Sequence, residues 1–296
     1  MFLLEFDLLP RILTLLFLFT AMLSVGMQTT ASDLGSLLRS KGFLLRSLVA
    51  NFVAVPIVGI VMARTLPLKP EAATALLLLA CTPGGISALH FTPKIKGASL
   101  FAGSSAFLLA FVAIFLSPAL LTLVLPGDIS VGIPYGRALL FVLGYLLLPL
   151  VAGILVRSRA ERLAEKLSKP CLITSAVLFV AVVVLLLGLR KEAKNAVGKE
   201  ALFYMLLFIV ISMTVGWFMG GPAKETRPLL ATVTGMRHVA LCLLIALDSF
   251  PDRAVQAPLL AFSALMVPPS TLLAAFMAIR SRKAARESQN YQGVHN

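Results

Sequence analysis

Nine stretches of this chain are apolar for about 18 residues or more, long enough to cross roughly 30 Å of hydrocarbon as helices. They run approximately from Leu9 to Met27, Phe43 to Met62, Ala72 to Phe91, Ala98 to Leu125, Ile133 to Val156, Cys171 to Leu189, Ala201 to Phe218, Leu229 to Leu247 and Ala257 to Ile279. In hydrocarbon a segment of this kind must satisfy its own backbone donors and acceptors, and for runs of this length the helix does so. Only 13% of the 296 residues are charged, 59% are hydrophobic and the mean hydropathy is +0.96. A soluble domain carries about 25% charged residues, so this chain lacks the charge to dress a water-facing surface. A soluble enzyme, a secreted disulfide scaffold and a disordered tail are excluded. The expected fold class is an all-α integral membrane protein with nine transmembrane helices.

The net charge of +13 would ordinarily suggest nucleic acid. Beside apolar spans it reads instead as membrane topology, and no nucleic-acid partner is expected. With the N-terminus outside and the C-terminus cytoplasmic, 16 Lys and Arg residues fall on the inner side and nine on the outer. The segment from Arg190 to Lys199 runs against this bias. Glu5 and Asp7 stand where a signal peptide would be basic, so the first span is expected to remain in the cell membrane. Connections are short, which makes residues 1–296 a single membrane domain with a basic cytoplasmic tail at 280–296. That tail reads as an anchor at an anionic inner leaflet. Cys81, Cys171 and Cys242 lie in or beside apolar runs, without metal-ligand spacing, and read as small buried hydrophobes.

Two spans are interrupted. The third contains Cys81-Thr82-Pro83-Gly84-Gly85 about halfway along, where proline removes a backbone donor and the glycines allow conformations a helix forbids. The eighth carries Thr234-Gly235 near its middle, a weaker break. One span follows each interrupted span before its half of the chain ends, giving halves of four and five spans, as if one helix had been lost from a five-plus-five chain. Odd-numbered repeats are inserted in opposite orientations, so the pattern predicts an inverted-repeat transporter fold with its site where the broken helices meet. The competing reading of the Pro-Gly-Gly sequence is a packing kink.

These stretches resemble the bile acid:sodium symporter family. The resemblance rests on Gly26-Met27 with Ser32-Asp33, on Asn51-Phe52 with Pro56, on Cys81 to Gly85 with Ser87 and Lys96-Gly97, and on Thr234-Gly235-Met236. It covers essentially the whole chain, with the family's first helix absent. It implies a panel domain at about 9–28 and 133–189 and a core domain at about 43–125 and 201–279. It further implies two broken helices crossing in the core, substrate held between core and panel, and alternating access by movement of one against the other.

The departures from the family concern sodium. Where sodium-binding relatives place a Ser-Asn pair, hydroxyls one span later, and a Glu and a Gln around Gly-Met, this chain has Ala88 and Leu89, Ala102 and Ala106, and Val233 and Arg237. Asn51 keeps the expected amide, and His238 stands where Asn is usual. Sodium requires several hard oxygen ligands, which apolar side chains do not provide. The hydroxyls of Thr232, Thr234, Ser104 and Ser105 and backbone carbonyls are what remains for a residual site.

Arg237 is the one cation near the centre of a span, and an unpaired charge there costs at least roughly 2.5 to 3.5 kcal/mol. It is expected either to take the place of sodium among the broken helices or to serve structurally by bonding their carbonyls. All 13 acids fall in loops, tails or span ends. Proton coupling would therefore fall to His238 or His90. The substrate/ion region is expected at Arg237, His238, Thr234, Gly235, Met236, Pro83, Gly84, Gly85, Ser87, His90 and Asn51. The expected substrate is a small or amphipathic organic anion, the expected mode sodium-independent, proton-linked or uniport. Alternatives are an arsenite-type efflux carrier using Cys81 and a membrane sensor or binding protein on the same fold. No catalytic triad, metal cluster, cofactor motif or P-loop appears, so no enzyme activity, cofactor or resident metal is expected. The oligomeric state is open.

Overall fold

The computed structural model describes residues 2–84, 99–125, 140, 143–188, 197–223, 226–249 and 255–279. Among the described residues the regular structure is entirely helical, with no strand. Helix α1 spans Phe2–Gln28, α2 Ala31–Arg39 and α3 Lys41–Val49. A π-turn at Ala50–Ala54 carries α3 into α4, Val55–Thr65. Then come α5 at Pro70–Cys81 and α6 at Ser99–Val124. A second π-turn, Leu143–Leu147, leads into α7 at Leu148–Arg159, followed by α8 at Glu161–Gly188 and α9 at Lys199–Met219. The last elements are α10 at Thr226–Gly235, α11 at Val239–Ser249 and α12 at Gln256–Leu265, continued beyond a turn at Met266 by 267–279.

Among the described residues three helices are, by length and composition, apolar enough to cross a membrane: Lys41–Thr65, Lys199–Met219 and Gln256–Ile279. Of the other expected spans, the eighth is divided at its interruption, and in the third the helix ends at Cys81. The third, fourth, fifth and sixth reach residues outside the described set. The segment from Arg157 to Lys169, too charged to read as a span, is helical on both sides of Ala160, and α8 runs through Pro170 into the apolar stretch.

Both π-turns stand immediately before a Val-Pro or Leu-Pro step, at Pro56 and Pro149. Proline lacks the amide donor, and its ring crowds the carbonyl four residues back. Widening the helix by one residue relieves both, and such turns recur at functional sites. Helix α1 packs along α7 and α8, α9 packs along α10, and α4 lies against α5. The α1–α7 crossing is closest at Gly26 and Gly153, where a methyl group on either residue would overlap the facing backbone.

The interior is apolar on both sides of this arrangement, with Leu18, Met22, Leu76, Leu79, Phe208 and Phe262 fully or almost fully buried. Large apolar side chains also cover the outside, among them Leu45, Leu123, Ile173, Phe218 and Leu272. Exposed apolar surface on this scale is what a bilayer solvates and water does not.

Candidate functional site

Helix α5 ends inside the protein because Pro83 cannot continue it, leaving its last four carbonyls without helical partners. The amide of Thr82 returns to the Leu78 carbonyl at 3.2 Å. The next two carbonyls are taken by Arg237: its Nε donates to Leu79 O at 2.9 Å and its Nη2 to Ala80 O at 2.7 Å. Arg237 is wholly buried, at 0% exposure. Its guanidinium thus lies at the negative end of the α5 dipole, where a cation is favoured.

The third partner comes from the first π-turn. Asn51 Oδ1 accepts both Arg237 Nη1 and the backbone amide of Gly84 at 3.0 Å each, while its Nδ2 donates to Ser47 O at 3.0 Å. Nη2 also lies 3.4 Å from the Asn51 carbonyl, at the long limit for a bond. One buried amide therefore ties the guanidinium, the first break and α3 together.

The two interruptions touch. Gly84 and Arg237 form an isolated antiparallel bridge, and the His238 amide donates to Pro83 O at 3.2 Å. The approach requires a residue without a side chain, since a methyl on Gly84 would overlap the Val233 carbonyl. The second break falls at Met236 to His238, just beyond the Thr234-Gly235 pair picked out in the sequence. Thr234 is still helical, its hydroxyl within 2.8 Å of both Leu230 O and Ser212 O, and Gly235 is the last residue of α10.

His238 opens α11. Its Nδ1 accepts the Leu241 amide at 3.3 Å, an N-terminal cap that commits this nitrogen as an acceptor. The ring proton then belongs on Nε2, which is buried and has no hydrogen-bond partner among the described residues. On the next turn Cys242 Sγ lies 3.0 Å from Thr82 Oγ1, so α11 is fastened to the first break. Cys81 and Cys242 are buried, whereas Cys171 is only partly so.

Of the residues singled out in the sequence, Asn51, Pro83, Gly84, Val233, Thr234, Gly235, Met236, Arg237 and His238 gather around this crossing, all buried. Gly85, Ser87, Ala88, Leu89 and His90 lie outside the described residues. Ala102 and Ala106 fall within α6. Thr232 Oγ1 is turned back on Pro228 O at 2.8 Å, and Ser105 Oγ is buried without a partner among the described residues. The reading of the sequence missed Cys242, Ser47 and the carbonyls of Leu79 and Ala80. The carbonyls had a signal: a helix stopped by Pro83 must leave them open. Cys242 lies one turn beyond His238, on the same helix face.

Two apolar segments whose helices end at a shared, buried cation, beside helices long and apolar enough to cross a membrane, are the arrangement expected of a membrane transporter. Residues 15–216 match the Sodium Bile acid symporter family, and the chain belongs to that family. It is 26% identical over 264 residues to the human hepatic sodium/bile acid cotransporter, covering 84% of this chain and 73% of the relative. It is 25% identical to the probable chloroplastic sodium/metabolite cotransporter BASS2 of Oryza sativa, a match over 89% of this chain and 63% of that protein. An uncharacterized sodium-dependent transporter of Bacillus subtilis, YocS, is 23% identical over 93% of this chain and 86% of its own length.

Proposed function

We propose that this protein is a secondary carrier of an organic anion, working by alternating access, in which the Arg237 guanidinium takes over the place and the electrostatic task of sodium. The observation that carries the proposal is the seating of Arg237. It engages the two open carbonyls at the end of α5 and the Asn51 amide oxygen, at the contact between the two breaks. In transporters of this architecture half-helix ends and unwound carbonyls are where a coupling cation is held. A covalently fixed cation on those acceptors leaves no reason for a mobile one. Replacement of the expected ligand positions by Ala88, Leu89, Ala102, Ala106 and Val233 points the same way.

Because the guanidinium is fully buried and its bonds go to protein groups, it is a structural charge; the anion is recognised beside the crossing, not on Arg237 itself. The packing of α1 on α7 and α8, apart from the α4, α5, α9 and α10 group, supports panel and core domains. The proposed topology is nine spans in inverted repeats, with the N-terminus outside. The anion class follows from the relatives' names, which specify bile acid and metabolite for those proteins.

The test is uptake into proteoliposomes by the purified protein, across a panel of sterol conjugates and small carboxylates, with sodium exchanged for potassium and with an imposed pH gradient. Flux that is unchanged by the sodium exchange is expected. Flux strictly dependent on sodium, or a sodium-induced thermal stabilisation, overturns the reading. A pH-gradient response abolished in His238→Gln assigns proton coupling to that ring, and indifference to both assigns uniport. Binding without flux makes the protein a sensor on a transporter fold.

A further inference from the structure

Helix α8 presents two opposite faces. One is buried: Ala164, Ser168, Ser175 and Val182 follow each other at helical spacing, and Ser168 O accepts the Ser24 hydroxyl of α1 at 2.8 Å. The other is exposed along its length. Arg162, Lys166 and Lys169 follow one another at steps of four and three residues and continue, at the same spacing, into Ile173, Val177 and Val180. Those three apolar side chains are 64%, 63% and 59% exposed, the exposure of a surface that faces lipid tails. The three cations thus stand on the lipid-facing row itself, about one, two and three turns beyond its apolar part.

The acids of this segment do not neutralise them. Glu165 stands one turn from Lys169, but it and Glu161 are turned to Arg157 of α7, at 3.3 and 2.9 Å. Among the described residues Arg162, Lys166 and Lys169 have no acidic partner. Leu163 and Leu167, 48% and 41% exposed, sit alongside them and extend the apolar surface to the same level. Such a row, apolar below and cationic above, matches a phospholipid that has its tails along Ile173 to Val180 and its phosphate among the three cations.

We propose that this face of α8 is a binding site for the headgroup of an anionic phospholipid, held where the lipid-facing surface meets the cationic end of the helix. Packing on α1 holds the site rigid, so the lipid meets cations already in place. The inference is independent of how the protein is energised and of which way it is inserted.

The test uses full-length protein purified in a neutral detergent and exposed to equimolar phosphatidylglycerol and phosphatidylcholine, with retained lipid counted by native mass spectrometry. Preferential retention of phosphatidylglycerol is expected, falling about fivefold for each cation removed in the series to Arg162→Gln/Lys166→Gln/Lys169→Gln. The charge-keeping variant Arg162→Lys/Lys166→Arg/Lys169→Arg is expected to retain the preference. An equal loss of charge elsewhere, Arg39→Gln/Lys41→Gln/Arg64→Gln, is expected to leave it largely intact. Soluble glycerol phosphate is expected to compete poorly, since it lacks the tails that the apolar row holds. Undiminished preference in the α8 triple variant overturns the site, as does an equal loss in the control variant or full competition by glycerol phosphate. Should the triple variant fold poorly, the single changes Lys166→Gln and Lys169→Gln are read against wild type in the same way.

Discussion

Replacing Arg237 by glutamine removes a fixed cation from a position without access to water, and the consequence is calculable from its partners. Three bonds of good length are lost or weakened, to Leu79 O, Ala80 O and Asn51 Oδ1. Bonds from a charged donor contribute roughly 1.5 to 3 kcal/mol each, so about 4.5 to 9 kcal/mol is at stake. Removing the charge also relieves its transfer into the membrane centre, worth roughly 2.5 to 3.5 kcal/mol. The difference is a destabilisation of about 2 to 5 kcal/mol, or a fall in Tm of about 3 to 8 °C for a chain of this size. Unfolding is followed with a thiol-reactive fluorophore, because Cys81 and Cys242 are buried and become reactive on opening; partly exposed Cys171 sets the baseline. Arg237→Lys should fall between the two, since an ammonium is a point charge and cannot reach the α5 carbonyls and Asn51 with one planar fork. Sodium is expected to stabilise neither variant, because Val233 and the other apolar positions still supply no ligand. A Tm for Arg237→Gln within about 2 °C of wild type would refute the reasoning, since no interaction at the crossing would then depend on the guanidinium.

Asn51→Leu keeps the branched shape but strips the acceptor shared by Arg237 and Gly84, and a loss of about 2 to 4 kcal/mol in thermal or denaturant unfolding is expected. Gly84→Ala places a methyl on the Val233 carbonyl; the crossing cannot close, and expression as a monodisperse protein in detergent should fail. Gly153→Ala forces apart α1 and α7 at Gly26, with Tm lowered while the crossing residues keep their mutual contacts, as read by unchanged thiol protection of Cys242 below the transition.

The comparison of sequence and structure is instructive at particular residues. Pro83 and Gly84 announced a break in the third span by their backbone chemistry alone, and α5 indeed ends at Cys81. The second break was harder to place, because a Thr-Gly pair is compatible with a helix. Its position at Met236 to His238 goes with the pairing of Arg237 with Gly84 and of the His238 amide with Pro83 O. The charged run from Arg157 to Lys169 reads as a connection by composition, yet most of it is helix, since packing of Ala164 and Ser168 toward α1 leaves the charges on the outside. Cys242 carried no mark of its role, because its contact with Thr82 joins positions 160 residues apart.

What the sequence determined by itself was the solvent and the problem. Hydropathy is local, so apolar runs assign each segment to the bilayer without reference to its neighbours, and the absence of acids near Arg237 already showed that its charge had no carboxylate to meet. Which acceptors meet it was decided only by tertiary structure. Asn51, the α5 carbonyls and Arg237 are separated by up to 186 residues, and a buried hydrogen bond forms only where packing brings both groups within about 3 Å. The contact between the two interruptions does that, and it turns a costly isolated charge into the fastening of the site.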